Sequence, residues 1–217
     1  MQTTKYTALI TGATGLIGQE LVKQLLMDDR CERVTVWVRK RTELQHPKLE
    51  QVVVTFDALP QEGNGLGASL AFCCLGTTIK KAGSQAEQYK IDHDYVVAFA
   101  QTCARNGIRS LAVVSSLGAD RSTSNFYLRT KGEMERDVSA LPFHQVVFVR
   151  PSLLLGKRSE FRFGEAIMMR IMRATGWLMV GGLKRYKAIE AKQVAEGLIR
   201  ESLANQEGVR IVESDKI

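Results

Sequence analysis

The chain is short of the residues that hold small secreted or metal-bound domains together. It has four cysteines among 217 residues and no CxxC pair, and its three histidines, His46, His93 and His144, stand far apart. Zinc ribbons, zinc fingers and disulfide frameworks need tighter spacings, so those classes are excluded and no metal site is expected. The four prolines are too few for a collagen-like or polyproline chain. No apolar run reaches the ~20 residues that cross a bilayer, so no integral membrane association is expected. The first strand-like run begins at Tyr6, directly after Met1-Gln2-Thr3-Thr4-Lys5, which predicts no signal peptide. Basic residues are not interleaved with aromatics as single-stranded nucleic acid would require, so nucleic acid is not an expected partner.

What remains is ordinary globular material, 45% hydrophobic and 24% charged. The length suits one large domain or two small ones. Folding at this size buries roughly 70% of the unfolded surface, so no covalent staple is needed. Cys73 and Cys74 are neighbours in a strand-like run, where adjacent side chains point to opposite faces. They are expected to pack as reduced thiols against two different helix layers, in a cytoplasmic protein.

Apolar, β-branched runs alternate with amphipathic ones. Strands are predicted over Tyr6–Thr11, Arg33–Val38, Gln51–Thr55, Ser69–Leu75, Ser110–Val114 and His144–Val149. Helices are predicted over Leu16–Met27, over Gln85–Arg105 with Asn106-Gly107 as C-cap, and over Phe126–Val138. The glycine-dense stretch from Pro60 to Gly67 leaves little room for a crossover helix before the fourth strand. This alternation predicts an α/β fold with a doubly wound parallel sheet and helices on both faces. After Arg150-Pro151 the pattern changes to helical stretches near Phe163–Ala174 and Ala191–Leu203 around an apolar loop, Gly176–Leu183. One domain, 1–217, is expected, with 152–187 as a small cap on the carboxyl edge of the sheet.

Charge gathers in that cap. From Lys157 to Lys187 eight basic residues face only Glu160 and Glu165. Such an excess attracts anions and suggests an anionic small-molecule substrate. A methionine-rich apolar patch, Met168 to Val180, lies beside it; core packing explains it most simply, while a homo-oligomer or protein partner stays open.

Gly12-Ala13-Thr14-Gly15-Leu16-Ile17-Gly18 sits between the first strand and the first helix, where a dinucleotide loop belongs. Gly12 permits the tight turn, Gly15 lets backbone approach a pyrophosphate, and Gly18 lets helix and strand pack closely. The helix N-terminus then offers free N–H groups to phosphate. The second strand ends Val38-Arg39-Lys40-Arg41, with no acid until Glu43. A carboxylate there would bind a ribose 2′-hydroxyl, whereas guanidinium groups suit a 2′-phosphate. NADP(H) is therefore the expected cofactor, with Arg39 its main ligand and Lys40 or Arg41 in support.

Tyr127 and Lys131 stand four residues apart on one helix face. The ammonium can stabilise a tyrosinate and bind a ribose, and the phenol can exchange a proton with a carbonyl or alcohol. Ser115-Ser116 ends the fifth strand, on the edge where open α/β sheets bind ligands. Either hydroxyl can hold a substrate oxygen; spacing to Tyr127 slightly favours Ser116. His93, between Asp92 and Asp94 in a helix, reads as a solvated or capping histidine.

Together the glycine loop, the strand-five serine and the Tyr-Lys pair resemble the extended and atypical short-chain dehydrogenase/reductase superfamily. The likeness is closer still to the HIV Tat-interactive protein oxidoreductase family and its bacterial relatives. It is carried by Phe72-Cys73-Cys74-Leu75-Gly76-Thr77-Thr78, Lys81-Ala82-Gly83-Ser84, Asp92-His93-Asp94-Tyr95-Val96, Ser115 to Asp120, Phe126 to Glu133, and Arg150-Pro151. The resemblance implies a Rossmann domain that binds NADPH. It implies Asp57 near the adenine, the backbone of Cys74, Leu75 and Gly76 along the cofactor, and Pro151 near the nicotinamide. Where many relatives carry a relay asparagine, this chain has Asp92.

Two functions fit: an NADPH-dependent reductase of a small carbonyl compound, with Tyr127, Lys131 and Ser116 catalytic, or an NADP(H)-sensing module with little catalysis. Retention of both Tyr127 and Lys131 favours the enzyme. The missing length relative to sugar-nucleotide epimerases argues against a large nucleotide-sugar pocket.

Overall fold

Tyr6-Thr7-Ala8-Leu9-Ile10-Thr11 carries no charge, and every side chain but Thr7 is buried, as a central parallel strand requires. In the computed structural model, which describes residues 5–155 and 186–217, this segment is β1 (Tyr6–Thr11). It leads into α1 (Leu16–Met27), β2 (Cys31–Val38), β3 (Leu49–Val53) and β4 (Leu70–Cys73). Then follow α2 (Ile79–Ala82), α3 (Gln85–Tyr89), a π-helical turn (Lys90–Asp94), α4 (Tyr95–Arg105) and β5 (Ser110–Val114). The remainder described comprises α5 (Phe126–Ser139), β6 (Gln145–Arg150), β7 (Leu154–Leu155), β8 (Ile189–Glu190), α6 (Ala191–Leu203) and β9 (Gly208–Glu213).

Seven strands form one parallel sheet in the order β3-β2-β1-β4-β5-β6-β9. The chain winds outward one way from β1 to β3, then returns to build the other half from β4. Between β1 and β4, where the direction reverses, open α/β sheets bind ligands beyond the carboxyl ends of the strands.

Alternation along the strands divides the core in two. Ala8, Ile10, Val34, Val36 and Phe72 face α1 and α6, while Leu9, Trp37, Ala71 and Cys73 face α4 and α5. Cys73 and Cys74 are split as expected, one in each layer. All four cysteines are free thiols. Trp37 meets Phe99 edge-on, with ring centroids 5.5 Å apart, and its indole N–H donates to the Asn64 carbonyl at 2.7 Å. That bond pins the glycine-rich β3–β4 connection, in which no helix forms.

Several sequence expectations change, among them the bounds of the second and fourth strands, which run Cys31–Val38 and Leu70–Cys73. The predicted helix 85–105 is interrupted at Lys90–Asp94, where wider π spacing rotates the residues that follow. Its predicted end is as expected: Ile108 and Gly107 donate to the Cys103 and Ala104 carbonyls, and Gly107 has φ +73°. The third strand starts at Leu49, two residues early, because His46 and Lys48 carbonyls tie that end to neighbouring backbone. β9 was not anticipated, since its Val209 and Ile211 lie half exposed on the sheet's last strand. His93, expected to be solvated, is buried for the reason given below.

Ser152 and Lys187 bracket the expected cap. Ser152 Oγ donates to the Lys187 carbonyl at 2.5 Å, Ile189 N–H donates to the Leu153 carbonyl, and β7 pairs with β8. The helix expected at Phe163–Ala174, the loop Gly176–Leu183 and most of the basic cluster lie outside the described residues.

Candidate active site

Gly12 has φ +76°, and a Cβ there would stand 2.5 Å from the Cys74 carbonyl oxygen and 2.7 Å from Leu75 N. Only glycine lets the turn after β1 lie against the end of β4. A Cβ on Gly18 would strike Gly12 and Ala13, so this glycine sets the approach of α1 to the turn. Gly15, the N-cap of α1, gives it no side-chain cap and there is no acid in its first turn, whereas α5 and α6 are capped by Asn125 and Glu190. Its unsatisfied N–H groups and positive dipole end face the reversal point without a protein anion to occupy them. This glycine cradle fits a dinucleotide pyrophosphate. Arg39 and Lys40 are exposed just past the end of β2, as is Arg41.

α5 supplies the second half. Asn125 Oδ1 accepts the Leu128 N–H at 3.1 Å and starts the helix two residues before Tyr127. Tyr127, Lys131 and Glu135 then recur every four residues on the inner face. Lys131 is fully buried, its Nζ 2.8 Å from Asp92 Oδ1, and Asp92 is itself sealed from solvent. Burial works against the Lys131 charge, but the Asp92 carboxylate and neighbouring Tyr127 more than offset it and hold the ammonium pKa above its ordinary value. Asp92 Oδ2 also accepts the Thr77 N–H at 3.1 Å. A Cβ on Gly76 would sit 3.3 Å from Asp92 Oδ1, so the backbone after β4 passes directly beside this ion pair. Thus the glycine turn, Cys74 to Gly76 and Lys131 meet at one place.

The two serines have different neighbours. Ser115 is buried and donates to Glu135 Oε1 at 2.5 Å. Glu135 in turn takes Arg150 Nε at 2.9 Å and Nη2 at 2.6 Å, and Arg150 Nη1 reaches Glu213 at 3.2 Å. The Glu135 and Glu213 carboxylates hold the Arg150 pKa above its usual value against the cost of burial. Ser116 is half-buried, with only a long 3.4 Å approach to the Leu117 carbonyl. Leu117 N–H donates to the Pro151 carbonyl at 3.0 Å, which brings Pro151 beside the serines. Gly132 lets the segment after β5 rest on α5: Asp120 N–H donates to the Leu128 carbonyl, and a Cβ on Gly132 would fall 2.9 Å from Asp120 Cα.

His93 is corrected from a solvated or capping residue to a buried bridge. Its ring stacks on Tyr89, with Nδ1 2.8 Å from Asp94 Oδ1 and Nε2 2.9 Å from Asp137 Oδ2. The π turn aims it at α5. Asp57 lies exposed after β3, where Lys90 Nζ at 2.8 Å and the Tyr95 hydroxyl at 3.2 Å bind its carboxylate; Lys90 foremost lowers its pKa. Sequence reasoning missed Glu135, Arg150 and Gly132 as site residues. Glu135 had a legible signal, its place one turn beyond Lys131.

A glycine cradle at the reversal point, with a half-buried Tyr127 and a buried Lys131 on the facing helix, marks a dinucleotide-binding protein. Residues 12–166 match the NAD(P)H-binding family model, well over half of the chain. The chain belongs to this NAD(P)H-binding family, in its atypical short-chain dehydrogenase/reductase branch. It is 36% identical over 163 residues to Protein HTATIP2 of Rattus norvegicus, covering 73% of this chain and 67% of that one. It is 33% identical over 220 residues to Protein FMP52, mitochondrial, of Eremothecium gossypii, covering 97% and 95%. Among solved structures, MoeE5 in complex with UDP-glucose and NAD shares the fold with a TM-score of 0.71 at 18% identity, over 94% of this chain and 74% of that one. The human epimerase family protein SDR39U1 with NADPH gives 0.59 at 18% identity, over 95% and 74%. No helix among the described residues is long and apolar enough to cross a membrane.

Proposed function

We propose that the chain is an NADP(H)-dependent oxidoreductase that reduces a small carbonyl compound. The observation that supports this most directly is the ion pair of Lys131 and Asp92, one turn along α5 from Tyr127 and beside the Gly76 backbone. NADPH, when bound, supplies the hydride for the carbonyl carbon. Gly12 to Gly18 hold its pyrophosphate, Arg39 and Lys40 its 2′-phosphate, and Asp57 stands toward its adenine. The Cys74–Gly76 backbone and Pro151 flank the rest. Ser116 orients the carbonyl oxygen, Tyr127 donates the proton that completes the alcohol, and Lys131 supports the tyrosinate left behind. The domain reading carries over as part of the proposal: one domain, 1–217, with 152–187 as a cap that admits a substrate, anionic by the cap's charge. The four free cysteines support residence in a reducing compartment, the cytoplasm.

A second reading, an NADP(H)-responsive module with little catalysis, draws on one observation: the Lys131 ammonium already has Asp92 as a partner. Titration with NADPH and NADH, followed by a panel of aldehydes and ketones, separates the two. The enzyme reading expects NADPH to bind at least tenfold tighter than NADH, a gap of about 1.4 kcal/mol. It also expects Arg39→Ala to erase that gap, and Tyr127→Phe to keep cofactor affinity while turnover is lost. NADPH binding without turnover on any carbonyl favours the responsive module, and no binding of either nucleotide overturns both.

A further inference from the structure

Residues 39–48 join β2 to β3 without a helix, so one face of these strands lacks the cover that α1 gives β1. Val36 and Val38 of β2 and Leu49 of β3 floor the opening. Val22 and Leu26 of α1 wall one side, and half-exposed Leu44 overhangs the other. Together they shape a groove of about 510 Å³, within the range of about 300–1,000 Å³ common to small-molecule sites.

Lys23 is the one permanently charged group of the groove's lining, with Thr14, Gln19 and Thr42 as neutral polar neighbours. Lys23 comes from α1 and His46 from the connection, and no carboxylate lines the groove. Lys23 is exposed and makes no ion pair among the described residues. His46 Nδ1 accepts the Lys48 N–H at 3.1 Å, which assigns the ring proton to Nε2 as a donor. Ala13 and Thr14 close one end, so the groove abuts the dinucleotide turn.

We propose that this groove is a second ligand site that takes an amphipathic carboxylate, with an aliphatic tail on the valine and leucine floor and its head on Lys23 and His46. A polyphosphate would meet a single cation there, Lys23, and a neutral lipid would leave that cation unused. The site is independent of the reaction proposed above, and it fills alongside the nucleotide.

The test is calorimetric titration of the full chain with decanoate below its micellar range. Decanol serves as the tail without charge and butyrate as the head with little tail. The expected result is one decanoate per chain, bound at least tenfold tighter than either control. Lys23→Glu and Leu44→Glu, both at exposed positions, should each weaken decanoate about tenfold or more, while circular dichroism and NADPH affinity stay as in the unaltered chain. The proposal is overturned if decanoate does not bind, if decanol binds equally well, or if neither substitution changes its affinity. Saturating NADPH gives a further arm: binding of both together supports a separate site, and strict competition assigns the groove to the nucleotide and overturns it.

Discussion

Lys131 Nζ lies 2.8 Å from Asp92 Oδ1, and neither side chain is open to solvent. A pair of this kind is weak as a net source of stability, but removing one partner strands the other charge in the interior, at about 3–5 kcal/mol. Asp92→Ala should therefore cost that much in urea unfolding, and Asp92→Leu with Lys131→Met should recover most of it. A double substitution as unstable as the single would show that the carboxylate matters for packing and not for charge.

The hydroxyls of Ser115 and Ser116 should separate by what their loss affects. Ser115→Ala removes a buried donor to Glu135, so unfolding free energy should fall by about 1–2 kcal/mol. Ser116→Ala should leave stability within about 0.5 kcal/mol and act on carbonyl turnover. Equal loss of stability in both would place Ser116 in the same internal network.

Glu135→Ala goes further, because it leaves Arg150 with only its 3.2 Å contact to Glu213. A loss of about 3 kcal/mol is expected, with Glu135→Gln milder because it keeps a hydrogen-bonding oxygen. Denaturant midpoints at constant slope measure both.

Gly12→Ala meets two obstacles, a left-handed φ of +76° and the Cys74 carbonyl oxygen 2.5 Å from the new Cβ. NADPH affinity should drop at least tenfold. Gly63→Ala, at a positive φ with open space around its Cβ, is the control that shares the strain without the collision and should keep nucleotide affinity.

Alkali should weaken the fold through its buried acids. Burial pushes the Cys31 thiol up to about 11 and the Cys73 thiol up to about 12. In the unfolded chain such thiols ionise near about 8.5. Above that value the native state binds more protons than the unfolded one. The stabilisation, fully present at lower pH, is then lost as pH rises toward the folded values, by about 1.4 kcal/mol per pH unit for each thiol. Unfolding free energies between about pH 8 and pH 10.5 should fall accordingly, and Cys73→Ala should flatten the decline.

The glycine turn and the strands flanking it were legible because their signals are local: glycine spacing and runs of β-branched residues. Tyr127 and Lys131 were legible by helical spacing, and Glu135, missed in the sequence, continues the same spacing one turn on. Asp92 could be numbered but not oriented. The π turn at Lys90–Asp94 has no distinct spacing signal, and it is this turn that brings Asp92 to Lys131 and His93 to Asp137. β9 escaped because its pattern runs against the usual one, with Val209 and Ile211 outward and Val212 inward. What separates Ser115 from Ser116 is the Glu135–Arg150 pair, whose contact forms only when β6 folds back beside α5 and leaves no spacing signal in the sequence.

The stitch between Ser152 and Lys187 has a consequence for how such proteins diversify. The chain leaves the seven-stranded sheet after Arg150 and returns to it only at β9, while β7 lies against β8 in a small two-stranded sheet at the junction. Leu155 and Lys187 are therefore held close together by contacts that the segment between them does not supply. A short bridge in its place would leave the register of the seven strands alone, and so would an insert of another shape. Replacing residues 156–185 by a short linker should therefore leave NADPH affinity and the unfolding midpoint close to those of the full chain.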